Sequence, residues 1–93
     1  GPADLSITYG LPPGVDNPGT VFDEAIATIV GSCQRHGVIP GIHSISGLAA
    51  KRVGNGFRMI TVSSDLQALS AGMRNDVKVA NEGGSASSSG KIY

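Results

Sequence analysis

The 93-residue sequence contains one cysteine, Cys33, and no tryptophan. A single cysteine cannot form an internal disulfide or a cysteine-based zinc site, which excludes the class of disulfide-stabilised secreted domains. The chain therefore needs an apolar core, although aromatic residues make up only 4% of it. Folding at this length buries about 60–65% of the unfolded surface, and we therefore expect marginal stability.

The sequence also lacks an excess of charge of either sign and any long apolar run. Seven Lys and Arg residues balance seven Asp and Glu residues. No basic excess is left to neutralise a phosphate backbone, so we expect no nucleic-acid partner. No apolar run approaches the roughly 18 residues that a membrane span needs, and the first residues lack the pattern of a signal peptide. We therefore expect no membrane partner and a cytoplasmic location.

Glycine and proline, by contrast, are abundant, with 14 and 5 residues respectively. Many of them lie in residues 1–19, where they predict a long loop with one short turn of helix near residues 5–9. The end of the chain, residues 82–93, is rich in glycine and serine. Residues 83–90 have no core-forming side chain that could offset the entropy of ordering, so we predict a disordered tail over residues 82–93.

Between these segments, apolar residues follow helical spacing in two places. Residues 20–36 are predicted to form a helix that Thr20 caps and Gly37 ends. A second helix is predicted from Ser64 or Asp65 to about Ala80. Each helix has one apolar face, which we expect to be buried against strands. The first face consists of Phe22, Ile26, Ile29 and Cys33 and is widened by Val21, Ala25 and Val30. The other consists of Leu66, Leu69, Met73 and Val77.

Two short apolar segments, residues 38–43 and 57–63, are predicted to be strands. A shorter helix is predicted between them, capped by Ser44 or Ser46 and ended by Gly56. The alternation of buried strands with amphipathic helices indicates right-handed βαβ units, and hence an α/β fold with a parallel sheet. Two strands are too few for a sheet covered on both faces, so the sequence indicates an incomplete α/β fold.

Polar residues follow both predicted strands, at the edge where parallel sheets carry their chemistry. His43 suits a general base or a metal ligand, although a histidine satisfied by a neighbouring backbone group is the commoner case. Ser63, Ser64 and Asp65 suit an anion site at a helix N-terminus, although such residues more often form only an N-cap. Cys33 lies on the apolar helix face and is interpreted as a small core residue.

Asp4 has a distinctive setting, the segment Gly1-Pro2-Ala3-Asp4-Leu5-Ser6. Gly1 has no side chain and lets the backbone approach a ligand closely. A carboxylate beside exposed amides suits a hard cation such as Mg²⁺ or Mn²⁺, because these ions prefer oxygen ligands. An aspartate in a turn is also commonly a cap for nearby backbone N–H groups. The residues alone leave both interpretations open.

This segment, followed by Tyr9-Gly10, by Asn17-Pro18 and by Ala25-Ile26, resembles the carboxyl-terminal part of the HpcH/HpaI aldolase/citrate lyase family. Residues 37–42 resemble the next strand of that family. Residues 56–65 are similar to its last strand and the turn after it. The resemblance covers residues 1–80, with its motifs in the order and spacing of the family.

The resemblance implies a partial (β/α)8 TIM barrel, to which residues 1–81 contribute the last two βα units, preceded by a long loop and a helix. It implies a carbon–carbon lyase that uses Mg²⁺ or Mn²⁺ and acts between a pyruvate-type 2-oxo acid and an aldehyde. Asp4 matches a metal ligand of the family, and Gly1 and Ala3 match positions that hold the 2-oxo acid. The family's second metal carboxylate, histidine base and arginine match no residue here, and His43 does not occupy the position of that base.

The sequence therefore predicts a fragment of a metal-dependent aldolase, which the resemblance implies to be a homo-oligomer when intact. Its partners would be a 2-oxo acid and an aldehyde. The fragment alone is expected to be inactive, because it has one metal ligand and neither base nor arginine. Two alternatives stay open: a non-catalytic binding module or antigen derived from the same barrel, and an independent small α/β domain.

Overall fold

The computed structural model of the protein describes residues 1–83. The chain divides into two compact units, of which the first is Gly1–Ser63 and the second begins at Ser64. Glu82 and Gly83 form a turn, and the rest of the predicted disordered tail lies outside the described residues. Within residues 1–83, no helix is both long and apolar enough to cross a bilayer.

The described chain is mostly helical, with two short strands paired in parallel. In the first unit, strand β1 (Gly41–Ile42) pairs with strand β2 (Met59–Ile60). Gly41 lies opposite Met59, and Ile42 lies opposite Ile60. The second unit contains helix α4. The elements are α1 (Pro2–Thr8), α2 (Thr20–Arg35), β1 (Gly41–Ile42), a 3₁₀ turn (Ser46–Leu48), α3 (Ala49–Asn55), β2 (Met59–Ile60) and α4 (Asp65–Asn81).

Helix α1 replaces much of the loop that the sequence predicts for residues 1–19. Pro2 occupies its first turn, where a missing N–H costs nothing and the fixed φ suits a helix. Asp4 also lies in this turn, where the helix dipole favours negative charge. The glycines and prolines do form an irregular segment, but it begins only after Tyr9, at Gly10.

Helix α2 has almost the predicted bounds, but the prediction that Thr20 caps it is wrong. Gly19, with φ of 123°, precedes the first turn, and Thr20 is the first helical residue. The buried face also differs from the predicted one. Phe22, Ile26 and Val30 are nearly inaccessible, whereas Ile29 is 41% exposed and Cys33 is half-buried. The helix therefore faces the core with Phe22, Ile26 and Val30, which are spaced four residues apart.

The hydrophobic core lies in the first unit, where α2 packs against the segment that leads into β2. Its buried members are Phe22, Ile26, Val30 and Phe57, and the half-buried side chains packed on them are Leu5, Leu11, Ile42 and Ile60. Helix α1 contributes Leu5 to this cluster, so the core connects α1, α2 and both strands.

Both strands are shorter than predicted, because each is paired with only one neighbour in the described chain. The backbone N–H groups of Met59 and Thr61 donate to the carbonyls of Pro40 and Ile42, both at 3.2 Å. Pro40 has no N–H to donate in return, which limits the ladder at its start. The predicted serine caps of the next helix are also wrong, since neither the 3₁₀ turn nor α3 has a side-chain cap.

Helix α4 has the predicted bounds to within one residue. Ser64 caps it by accepting a hydrogen bond from the N–H of Gln67 at 3.2 Å. The expected burial of its apolar face is not observed. Leu66, Leu69, Met73 and Val77, here called the α4 stripe, are 59–73% exposed. An apolar helix face of this width is typical of a surface that packs against further protein.

Gly37 and Gly56 end α2 and α3 in the same way, in the left-handed conformation with φ of 66° and 104°. After each glycine the next N–H reaches back five residues: Val38 donates to Cys33 at 2.9 Å, and Phe57 donates to Arg52 at 3.1 Å. This is the Schellman pattern, and the sequence predicts both stops correctly. The surroundings differ, because a Cβ on Gly56 would lie 2.8 Å from Val30 Cγ1, whereas one on Gly37 would meet open space.

We predict that Gly56→Ala destabilises the protein more than Gly37→Ala does. The left-handed conformation alone should cost alanine about 1–2 kcal/mol at Gly37. At Gly56 the contact with Val30 adds a packing penalty, for a total of about 2–5 kcal/mol. Urea unfolding of both variants measures the difference. Equal losses would show that the core adapts to the added methyl group without cost.

Candidate functional site

Gly1 and Asp4, two of the residues that the sequence singles out, lie close together. Asp4 is exposed in the first turn of α1, and its carboxylate bends back towards the start of the helix. A Cβ built on Gly1 would lie 3.2 Å from Asp4 Oδ2. That separation is tighter than ordinary van der Waals contact, so glycine at position 1 gives the carboxylate its room. Ala3 is half-buried on the same helix.

Asp4 and Gly1 line a pocket of about 320 Å³ between α1, α2, β1 and the segment that leads into β2. Thr8 is the other polar side chain in its wall. Most of the wall is apolar and is formed by Pro2, Leu5, Ile26, Ile29, Ile42 and Phe57, with Gly41 completing it. A concave, mostly apolar surface with a few polar groups is the usual form of a small-molecule site. Ala3 does not line the pocket.

Among the residues that line this pocket, Asp4 is the one that could bind a divalent metal through a carboxylate. Its carboxylate is exposed and provides the oxygen donors that Mg²⁺ and Mn²⁺ prefer. No group of three or more His, Cys, Asp or Glu side chains comes together anywhere in residues 1–83. The donor type therefore fits such an ion, but a complete coordination shell needs ligands beyond this carboxylate. Water, a substrate or other protein residues would have to supply them.

Two buried polar side chains connect α1 to the irregular segment after it. Ser6 is fully buried and donates its hydroxyl proton to the carbonyl of Pro2 at 2.7 Å. The amide nitrogen of Asn17, a residue that is 7% exposed, donates to Ser6 Oγ at 2.6 Å and to the carbonyl of Pro12 at 2.9 Å. The backbone N–H of Leu11 also donates to the carbonyl of Ser6 at 2.9 Å. These bonds fold the segment back over α1.

Arg52, in α3, holds the same segment from the other side. Its side chain is fully buried, and Nη2 donates to the carbonyl of Val15 at 2.6 Å and to Asp16 Oδ1 at 3.1 Å. Nη1 donates to Asn55 Oδ1 at 3.3 Å, and the guanidinium carbon lies 5.8 Å from the centroid of the Phe22 ring. Within the described residues its Nε is buried without a hydrogen-bond partner. No spacing in the sequence indicates this contact, because Asp16 and Val15 lie 36 and 37 residues before Arg52.

Asp16 accepts from two cations and has a shifted pKa. Burial favours the neutral acid, but hydrogen bonds from Lys51 and Arg52 and the charges of both residues outweigh it, so the pKa lies below the ordinary value of 3.8. Lys51 Nζ donates to Asp16 Oδ2 at 2.7 Å and is 45% exposed on its side chain. The Asp16 carboxylate thus binds one exposed cation, Lys51, and one fully buried cation, Arg52.

His43 lies away from the Asp4 pocket, beyond the end of β1. Its Nδ1 is 3.1 Å from Thr61 Oγ1, and the same hydroxyl accepts the backbone N–H of Ser44 at 2.9 Å. The Thr61 hydroxyl therefore orients the imidazole, although the ring itself is exposed. This arrangement favours the interpretation of His43 as a satisfied histidine. Thr61 lies 18 residues after His43, so no local pattern in the sequence pairs the two residues.

The remaining candidates show local roles. The hydroxyl of Ser64 caps α4, and Asp65 Oδ1 accepts the N–H of Leu66 at 2.7 Å. These contacts favour the N-cap interpretation of the serine-rich turn over an anion site. Cys33 is half-buried, as a residue at the edge of a core would be.

No protein-family model matches this sequence, and no curated protein or solved structure shows significant similarity to it. The family resemblance therefore depends on the short motifs in the sequence, above all on the segment that places Gly1 and Asp4 together.

We predict that Arg52→Met destabilises the protein much more than Lys51→Met does. The first change leaves the Val15 carbonyl and one Asp16 oxygen without their buried donor, which should cost about 2–4 kcal/mol. The second removes an exposed ion pair and should cost less than about 1 kcal/mol. Denaturant unfolding of both variants gives the comparison. Similar losses would mean that the buried guanidinium is no more important than the surface pair.

We also predict that Asp16 makes stability depend on pH. Because its pKa is lowered on folding, its contribution is complete above 3.8 and is lost as the pH falls through that value towards the folded-state pKa. Replacing Asp16 with Asn should remove this part of the acid sensitivity. Urea titrations of both proteins at neutral pH and at a series of acidic pH values test the idea, which fails if the two acid profiles are parallel.

Proposed function

We propose that this chain forms the carboxyl-terminal part of a metal-dependent lyase that cleaves or forms a carbon–carbon bond between a 2-oxo acid and an aldehyde. The observation that carries the proposal is the close approach of the Asp4 carboxylate to Gly1 at the wall of a pocket. These are the residues that resemble the metal- and substrate-binding segment of the HpcH/HpaI aldolase/citrate lyase family. In the sequence Gly1 and Asp4 are three positions apart, and in the fold the Asp4 carboxylate also lies close to Gly1.

Asp4 would hold the metal ion, Mg²⁺ or Mn²⁺, through its exposed carboxylate. A divalent ion bound there supplies Lewis-acid stabilisation of the negative charge that develops on the oxygen of a 2-oxo acid. The backbone around Gly1 and Ala3 would position the 2-oxo acid. Gly1 lines the pocket and, having no Cβ, admits a ligand close to the main chain, whereas Ala3 lies on the same helix outside the pocket lining.

The base, the carboxylate-binding arginine and the second metal carboxylate would come from other parts of the enzyme. Arg52 is not available for a substrate carboxylate, since it is fully buried and bonded to Val15 and Asp16. His43 is not among the residues that line the Asp4 pocket. The proposed enzyme is a cytoplasmic homo-oligomer without nucleic-acid or membrane partners, and further protein surface covers the α4 stripe.

A second candidate function is a non-catalytic binding module derived from the same barrel. It is favoured by the composition of the pocket, whose lining residues include one carboxylate and no histidine, lysine or arginine. Such a pocket can bind a small apolar ligand without transforming it. Catalysis of 2-oxo acid release by the complete protein separates the two functions.

We predict that Asp4→Asn lowers turnover in the protein encoded by the complete reading frame. Loss of the charged ligand removes stabilisation that is strongest in the transition state, so kcat should fall by about 100-fold or more at saturating Mn²⁺. The assay is release of pyruvate from a 4-hydroxy-2-oxo acid. Asp23→Asn is the matched control, because Asp23 is an exposed aspartate in the first turn of α2 and lies outside the pocket lining.

Near-normal turnover of Asp4→Asn would show that Asp4 only complements the helix dipole and that the proposed ligand is wrong. The 93-residue chain by itself should release no 2-oxo acid with either metal, since it contributes one of the required ligands. Metal-dependent release well above background from that chain would contradict this assignment of roles.

A further inference from the structure

The direction of the Asp4 carboxylate depends on how α1 is held. This helix has only seven residues and no side-chain cap at its N-terminus. Helices this short are not stable on their own in water, so tertiary contacts must fix its first turn. The buried residues of α1 are Pro2 and Ser6, and they lie on either side of Asp4 in the sequence. Whatever fixes these two residues also fixes the turn from which Asp4 projects.

Ser6 has both of its main hydrogen-bonding roles filled inside the protein. Its single hydroxyl proton goes to the carbonyl of Pro2 at 2.7 Å, and its oxygen accepts from Asn17 Nδ2 at 2.6 Å. The other amide proton of Asn17 goes to the carbonyl of Pro12 at 2.9 Å. Because Ser6 and Asn17 are 0% and 7% exposed, water does not compete with these bonds. In such an environment a satisfied polar network fixes one arrangement of its members.

Asn17 is itself held from outside α1. Its neighbour Asp16 receives bonds from Lys51 and Arg52, and the carbonyl of Val15 receives one from Arg52. The amide of Asn17 is therefore positioned by α3, through two adjacent residues. Two sets of hydrogen bonds, joined by the covalent backbone of residues 15–17, therefore connect the buried guanidinium to Ser6 and to the first turn of α1.

We infer that Asn17 is a positioning residue for the metal ligand Asp4, and that it acts through Ser6. By donating to Ser6 Oγ, Asn17 directs the serine proton to Pro2 and keeps the first turn of α1 closed, with the Asp4 carboxylate over Gly1. The inference rests on the proposed function, because it assigns a support to the ligand proposed there. Groups that orient a metal ligand typically change metal affinity by about 10–100-fold when they are replaced.

The test is Mn²⁺ binding to the complete protein, measured by titration that gives both the dissociation constant and the number of sites. Asn17→Asp is nearly isosteric but replaces the amide donor with an acceptor, so the bond to Ser6 is lost. Asn75→Asp makes the same change at an exposed position of α4. Ser6→Ala removes the hydroxyl, and Thr28→Ala is its control, since Thr28 makes a similar bond to the Glu24 carbonyl at 2.9 Å on an exposed face.

We expect Asn17→Asp and Ser6→Ala to raise the dissociation constant for Mn²⁺ about tenfold with an unchanged number of sites. Both controls should bind Mn²⁺ like the wild type. A purely structural role would instead reduce the number of sites and leave the affinity of the folded fraction unchanged. If Asn17→Asp yields no folded protein, Ser6→Ala, which introduces no charge, decides the question.

Wild-type affinity in both variants, or loss of sites alone, would overturn the positioning role and leave the proposed function intact. A wild-type protein that neither binds Mn²⁺ nor releases a 2-oxo acid would overturn the proposed function, and the positioning role with it. The wild-type titration and the variant titrations therefore distinguish the two failures.

Discussion

A positive charge that is wholly withdrawn from water needs partners, and Arg52 finds them in a segment about 36 residues earlier in the chain. The guanidinium bonds the Val15 carbonyl and Asp16, and it lies over the ring of Phe22, the most buried member of the core. One side chain thus joins α3, the segment before α2, and α2 itself. The core cluster of the described residues has four buried side chains, and rearranging them would leave the buried guanidinium or its acceptors without partners, which is costly.

The dependence of α1 on this contact follows from its length. A seven-residue helix takes its geometry from what surrounds it, and here the surroundings are the core contact of Leu5 and the bonds of Ser6. The segment that makes those bonds is irregular and would be mobile if it were not fixed at Asp16. The glycines and prolines of residues 10–19 therefore provide a path that brings Asn17 to Ser6, and the charged contact keeps that path in place.

Local signals in the sequence predicted the features that local forces determine. Gly37 and Gly56 end helices because a left-handed residue is needed there, and Ser64 caps α4 through a bond three residues away. Sequence spacing gave Arg52 no special role, because its partners are too distant along the chain for any periodicity to reveal them. Thr20 was a plausible cap, but the conformation of Gly19 already makes the turn into α2.

In the candidate site, too, the sequence indicates the local features but not those that depend on the tertiary fold. The motif of residues 1–6 indicates Gly1 and Asp4 as site residues, and in the fold a Cβ built on Gly1 would lie 3.2 Å from Asp4 Oδ2. The apolar wall from Ile26, Ile42 and Phe57 was not foreseen, because it needs the relative placement of α2 and the strands. Asn17 and Ser6 were also missed as a pair, since hydrogen bonds between residues 11 positions apart leave no mark in composition or spacing.

The α4 stripe has a consequence for the protein as a solute. In the 93-residue chain by itself, where no further protein covers the stripe, its four apolar side chains are 59–73% exposed, and the formal net charge of this chain at pH 7 is zero. Electrostatic repulsion, which ordinarily keeps protein molecules apart, is then weakest under the conditions in which proteins are usually handled. The solubility of this chain should therefore be lowest near neutral pH. It should rise at lower or higher pH, where the molecules acquire a net charge of one sign and repel each other.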